Sequence, residues 1–112
     1  MRNGLNAREK KALARLKDLL LEHFPGEILR IQLFGSKARG DAHKFSDIDV
    51  LVIIRKGDWK FRDLIRAVSY QVFRETDIDI SLLVMEESKF RHLLKYRAPF
   101  IENIERESIS VL

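Results

Sequence analysis

Two short stretches of this chain carry residue types suited to phosphate and to divalent cations. The first is Gly35-Ser36, which follows an apolar run and leads into Lys37, Arg39 and Gly40. A glycine there lets a phosphate come close to the backbone. If a helical turn begins at Ser36, its free N–H groups point at that phosphate, and the Ser36 hydroxyl adds one hydrogen bond. Arg39 could clamp phosphate oxygens bidentately, and Lys37 could add a point charge. The spacing is not that of a Walker A loop, because Asp41-Ala42 stands where Lys-Ser/Thr is required. Taken alone, Gly-Ser after a strand is most often a turn.

The second stretch is Asp47-Ile48-Asp49, which opens an apolar run ending at Ile54. In a strand, alternate side chains share a face, so these two carboxylates stand together with Cα atoms roughly 6.6 Å apart. Ile48 and Val50 then point into the core. Two acids on one face repel unless a cation lies between them. Mg²⁺ takes one or two carboxylates plus substrate phosphates, and a pair of such ions suits in-line attack at phosphorus. A lone Asp-x-Asp is more commonly a solvated strand end. Asp77 and Asp79, at the start of a later apolar run, are the two candidates for a third acid.

The elements that must position these residues follow from periodicity. Residues 5–24 predict an amphipathic helix with Ala12, Leu13, Leu16, Leu19 and Leu20 on its apolar side, stopped by Pro25-Gly26. Residues 28–34 predict a strand, residues 35–46 a loop with room for a short helical turn, and residues 47–54 the strongest strand of the chain. Asp58 is a plausible N-cap for a helix over 59–74 whose apolar face holds Phe61, Leu64, Ile65, Val68 and Val72. Residues 77–84 predict a further strand. Glu86 and Glu87 then start a helix with Phe90, Leu93 and Leu94, Pro99 starts another with Phe100, Ile101 and Ile104, and residues 109–112 suit a short edge strand. Trp59 reads as a core cap and the Lys56, Lys60, Arg62 and Arg66 group as a solvated helix face.

Strand, helix and strand over 47–84 make a right-handed parallel βαβ unit. If the strand at 28–34 runs antiparallel to the one at 47–54, the Gly35 end, Asp47, Asp49 and Asp79 meet at one end of the sheet. The expected fold class is α+β, α/β-like in its central unit: a small mixed sheet of three to four strands with helices packed on it.

The chain has 112 residues, 46% of them hydrophobic and 34% charged. That is one domain, 1–112, able to build its own core. Cysteine is absent, which excludes disulfide frameworks, thiol catalysis and zinc ribbons. His23, His43 and His92 are scattered and read as surface residues. No membrane span of about 20 apolar residues is present and no secretory signal opens the chain, so a cytoplasmic location is expected. Twenty-one Lys+Arg against 17 Asp+Glu leave a net charge of +4. This permits an anionic partner without requiring nucleic acid.

The run Gly35-Ser-Lys-Ala-Arg-Gly-Asp41, followed by Ser46-Asp-Ile-Asp-Val-Leu-Val52 and the later Ile78-Asp79-Ile80, resembles the DNA polymerase β-like nucleotidyltransferase superfamily. It looks most like the minimal nucleotidyltransferase branch, and Pro99 to Glu107 is similar to that branch's C-terminal end. Family members often carry Gly where this chain has Ser108. The resemblance implies a catalytic β-loop-β-α-β unit over 28–84, with C-terminal helices and a possible edge strand over 86–112. It implies that Asp47, Asp49 and Asp79 are the catalytic, metal-holding carboxylates, with two Mg²⁺ ions. Asp79 would also help deprotonate the attacking hydroxyl, with Asp77 the open alternative. Gly35, Ser36, Lys37 and Arg39 would bind the nucleotide, expected to be ATP.

Such proteins often act as antitoxins beside a HEPN ribonuclease, and active members add AMP to a tyrosine hydroxyl of that partner. The expected function is therefore Mg²⁺-dependent transfer of AMP to a partner protein. The alternative is a binding module that neutralises its partner by covering it, without catalysis. Transfer to a small molecule or nucleic acid is a third reading, motivated by a pI of about 9.6, and is the least expected. Self-association is left open.

Overall fold

The computed structural model describes residues 4–40 and 47–112. The predicted loop over 41–46, with His43, lies outside the described residues. Helix α1 (Ala7–His23) leads to β1 (Ile28–Phe34), the short α2 (Ser36–Arg39) and β2 (Ile48–Ile54). Then come α3 (Trp59–Thr76), β3 (Ile80–Glu86), α4 (Glu87–Lys95), α5 (Pro99–Glu107) and β4 (Ile109–Ser110). The sheet order is β3-β2-β1-β4. β2 and β3 are parallel, while β1 is antiparallel to both β2 and β4. The mixed four-stranded α+β sheet and the βαβ unit expected from sequence are both present.

Local chemistry sets the helix boundaries. Asn6 caps α1: its side chain accepts from the Glu9 N–H while the Glu9 carboxylate accepts from the Asn6 N–H, a reciprocal capping box. Asp58 caps α3 by accepting from the Phe61 N–H. α3 ends at Asp77, whose φ of 62° is left-handed. That ending corrects the predicted strand. Asp77 is the helix cap rather than a strand residue, and β3 begins only at Ile80.

β2 is buried along its whole apolar length because helices cover both sheet faces. Ile48, Val50, Val52 and Ile54 face α1 and α3, packing with Leu16, Leu20, Ile65 and Val72. Leu51 and Ile53 face α4 and α5, packing with Phe90, Ile101 and Ile104. Two predicted core positions do not join either layer. Leu64 and Trp59 are each 61% exposed, because α3 buries only the narrower stripe of Ile65, Val68 and Val72. Trp59 is thus a surface residue with Lys60 over its ring, not a core cap. Among the described residues, no helix is long and apolar enough to cross a membrane.

Leu16 sits on α1 with no exposed surface. Leu16→Ala is expected to cost about 2–5 kcal/mol in urea unfolding; a loss well under about 1 kcal/mol would show that α1 is peripheral to the core.

Candidate active site

The antiparallel pairing brings the end of β1 to the start of β2. Phe34 is the register partner of Asp49. The chain then leaves β1 through Gly35, whose φ of 77° is left-handed. A Cβ at this position would lie 2.9 Å from Asp49 Oδ2. A larger residue would meet both an unfavourable backbone conformation and the carboxylate itself. Gly35 therefore lets the loop backbone lie against the acid. The Gly35 carbonyl accepts from the N–H groups of Ala38 and Arg39, each at 3.1 Å, which closes α2 directly beyond it.

Asp49 is half-buried and shares the α4/α5 face of the sheet with Leu51 and Ile53. Burial raises its carboxyl above the ordinary range, and the negative charge of Asp47 pushes the same way. Both effects favour the neutral acid. A cation placed here would reverse them. Asp47 is exposed at the strand entrance. Ile48 pairs with Ile80 in the parallel ladder, so Asp79 stands level with Asp47, at the entrances of neighbouring strands about 4.8 Å apart. Ser81, not an acid, faces Asp49. Asp77 lies two residues before Asp79 in the helix cap, so Asp79 is the acid level with Asp47. The side chains are not drawn into a closed cage: among the described residues, no three His, Asp or Glu groups are placed to hold a metal together. Asp79 instead lines a hollow with Arg66, Ser69 and Tyr70.

A cleft of about 260 Å³ opens between the end of β1 and α5. Gly35, Arg39 and Asp49 form one side, and Phe100, Asn103 and Glu107 the other. Arg39 Nη1 lies 3.5 Å from Glu107 Oε2 across it. Phe34 meets Phe100 edge to face, with centroids 5.9 Å apart. Ser36 begins α2 beside this cleft and is half-buried.

Lys37 departs from its expected role. Its side chain is only 2% exposed, and Nζ lies 3.1 Å from Glu9 Oε2 and 3.4 Å from the Gly4 carbonyl. The lysine points from α2 into the start of α1, and its charge neutralises Glu9 rather than reaching the cleft. The Gly4 N–H donates back to the Lys37 carbonyl at 2.7 Å. This buried pair fastens the loop to the N-terminal segment. Nothing in the spacing of Glu9 and Lys37 announced it. The α5 wall was more accessible to sequence reasoning, since Phe100, Asn103 and Glu107 recur at i, i+3, i+7.

A glycine pressed against one of two neighbouring aspartates, on a four-stranded mixed sheet, sets carboxylate oxygens of the type hard cations take at the edge of an α+β domain. The chain belongs to the nucleotidyltransferase domain family, which it matches over residues 13–109, and its class of activity is nucleotidyl transfer. It is 32% identical over 88 residues to a protein of Methanocaldococcus jannaschii provisionally named a protein adenylyltransferase, covering 79% of this chain and 84% of that one. Among solved structures, a minimal nucleotidyltransferase shares the fold with a TM-score of 0.61 at 22% identity, covering 89% of each chain. A toxin–antitoxin solved with AMP-PNP shares it at 0.57 and 20% identity, covering 88% of this chain and 72% of that one.

Two predictions test this geometry. Lys37→Met leaves Glu9 buried and uncompensated, and is expected to cost about 3–5 kcal/mol. Adding Glu9→Met should recover most of that loss, apart from about 1 kcal/mol for the capping box. A double variant as unstable as Lys37→Met alone, in urea unfolding, would contradict the buried-charge account. For Asp49, the folded carboxyl is raised above the unfolded one. The stability this group contributes is complete below the ordinary carboxylate range and is lost as pH rises through the raised value. Asp49→Asn is therefore expected to unfold at higher urea than the native chain at neutral pH, with the advantage vanishing below about pH 4. An advantage independent of pH would show that charge is not its cause.

Proposed function

We propose that this protein transfers AMP from ATP to a hydroxyl of a partner protein, and that the partner is a HEPN-family ribonuclease toxin which the transfer silences. The observation that carries the chemistry is the Asp49 carboxylate held against Gly35 with Asp47 beside it. The acceptor class rests on the relative named a protein adenylyltransferase. The toxin partner rests on the fold shared with toxin–antitoxin chains and on the motif resemblance. The supply of ATP and Mg²⁺ makes the cytoplasm the place of action.

The donor set fits Mg²⁺. Asp47 and Asp49 offer hard oxygens on one strand face, and this ion commonly takes one or two carboxylates plus substrate phosphates. Asp47 and Asp49 would hold it, with Asp79 completing the set for a second ion. When bound, the metal supplies neutralisation of the triphosphate and of charge developing at phosphorus. The rest of the work falls to the chain's own residues. The Gly35 backbone admits the phosphates close to Asp49, the Ser36 hydroxyl and Arg39 hold their oxygens, and the fixed loop keeps the α-phosphorus in line for attack. The acceptor oxygen forms a bond to the α-phosphorus as the bond to the β-phosphate oxygen breaks, and pyrophosphate leaves. Asp79, exposed at the strand entrance, takes the proton from the acceptor hydroxyl.

The test is incubation with Mg²⁺, α-labelled ATP and extract of the native cells, beside an Asp47→Ala/Asp49→Ala variant. Label is expected on one discrete protein, reduced by roughly a hundredfold or more in the variant. Equal labelling by both proteins would overturn the assignment of the acids. No labelling in an extract shown to contain a bound partner would favour the alternative of neutralisation by complex formation alone.

A further inference from the structure

α5 presents side chains to the cleft that phosphate and metal chemistry leave unused. Phe100 is 57% exposed, although Ile101 and Ile104 on the same helix are buried. One exposed phenylalanine needs no explanation. Its position does: it shares a cleft with Asp49 and stands edge to face with Phe34. Asn103 adds a directional group. Arg106 Nη2 donates to Asn103 Oδ1 at 2.7 Å. Arginine is donor-only, so the amide oxygen must face it and the Asn103 NH₂ is turned elsewhere. Among the described residues that NH₂ makes no hydrogen bond. Glu107 lies between Arg106 at 3.6 Å and Arg39 at 3.5 Å, which fixes the charges at the rim.

The wall is preorganised. Ile101 and Ile104 are buried in the core, Glu105 pairs with Arg30 of β1 at 3.0 Å, and Ser108 donates to the buried Gln32 at 3.3 Å. An aromatic face, an amide donor and, at the opposite side, the Gly35 backbone and Arg39 form a graded surface, from flat and apolar to charged. A nucleoside triphosphate has that same gradient.

We infer that the α5 wall of this cleft is the nucleobase subsite, with Phe100 stacking on the base and the Asn103 NH₂ donating to a ring nitrogen, and that it favours purines. The inference rests on the nucleotidyl-transfer reading and deepens it. A purine covers more of Phe100 than a pyrimidine does. Adenine and guanine both carry acceptor nitrogens at N3 and N7. The acceptor hydroxyl approaches from the other side, where Asp47 and Asp79 are exposed.

The test is equilibrium binding of ATP, UTP and inorganic tripolyphosphate with Mg²⁺, using the full chain, Phe100→Ala and Asn103→Ala. Both substituted residues are exposed, and a circular dichroism melt checks that each variant folds. The native chain should bind ATP more tightly than UTP. Phe100→Ala should weaken ATP roughly tenfold, towards the UTP value, and Asn103→Ala by several-fold, with tripolyphosphate unchanged in both. ATP binding unaltered in both variants would overturn the subsite, as would equal losses for ATP and tripolyphosphate. A native chain that binds no triphosphate compound would overturn the nucleotidyl-transfer reading, and this inference with it.

Discussion

The contact between the Gly35 backbone and the Asp49 carboxylate is the constraint around which the rest of the molecule is arranged. It needs the end of one strand and the beginning of the next to lie side by side, which only an antiparallel β1–β2 pair supplies at this chain length. It needs a residue without a side chain, in a left-handed conformation, at the exit from β1. It also keeps a partly desolvated acid beside a second acid, at some cost to the folded state. The apolar length of β2 offsets that cost. Every residue from Val50 to Ile54 is buried between two helical layers, so the strand that carries the repelling carboxylates is also the best anchored one.

The loop beyond Gly35 is held from behind. Lys37 and Glu9 neutralise each other in the interior, and Glu9 closes the cap of α1 at the same time. A buried ion pair is a poor source of net stability. Its value here is geometric. It gives a four-residue helix one permitted position against a seventeen-residue one, and so fixes where Ser36 and Arg39 stand relative to Asp49.

Much of this was legible in the sequence because the signals were local or strictly periodic. The β1 limits, the Asp58 cap, the parallel βαβ unit and the meeting of Gly35 with Asp49 all follow from alternation, capping chemistry and the handedness of crossovers. The departures each have a non-local cause. Asp77 reads as strand because Asp-x-Asp before an apolar run looks the same whether its first residue caps a helix or opens a strand. Trp59 and Leu64 read as core because α3 has more apolar positions than the sheet can cover. Lys37 reads as a phosphate ligand because its neighbours have the types for one, and its true partner lies 28 residues earlier on another helix. α5 reads only as a helix with Phe100 among its apolar residues, and nothing local marks Asn103 or Glu107 as facing the same cleft as Asp49.

The wall's attachment has a bearing on the order in which the molecule becomes complete. Ser108 and Gln32 are bonded across 76 residues of chain, and β4 pairs with β1 immediately after α5. Closing a loop of that length carries an entropic cost that grows only logarithmically, but it must be met before the contact rewards it. During synthesis the strands bearing Gly35, Asp49 and Asp79 emerge well before this final ladder. The elements that carry the acids are thus complete in the chain before the contacts that hold α5 against β1. The α5 wall takes its place only once α5 and β4 are present, while Gly35, Asp49 and Asp79 belong to parts of the chain made earlier.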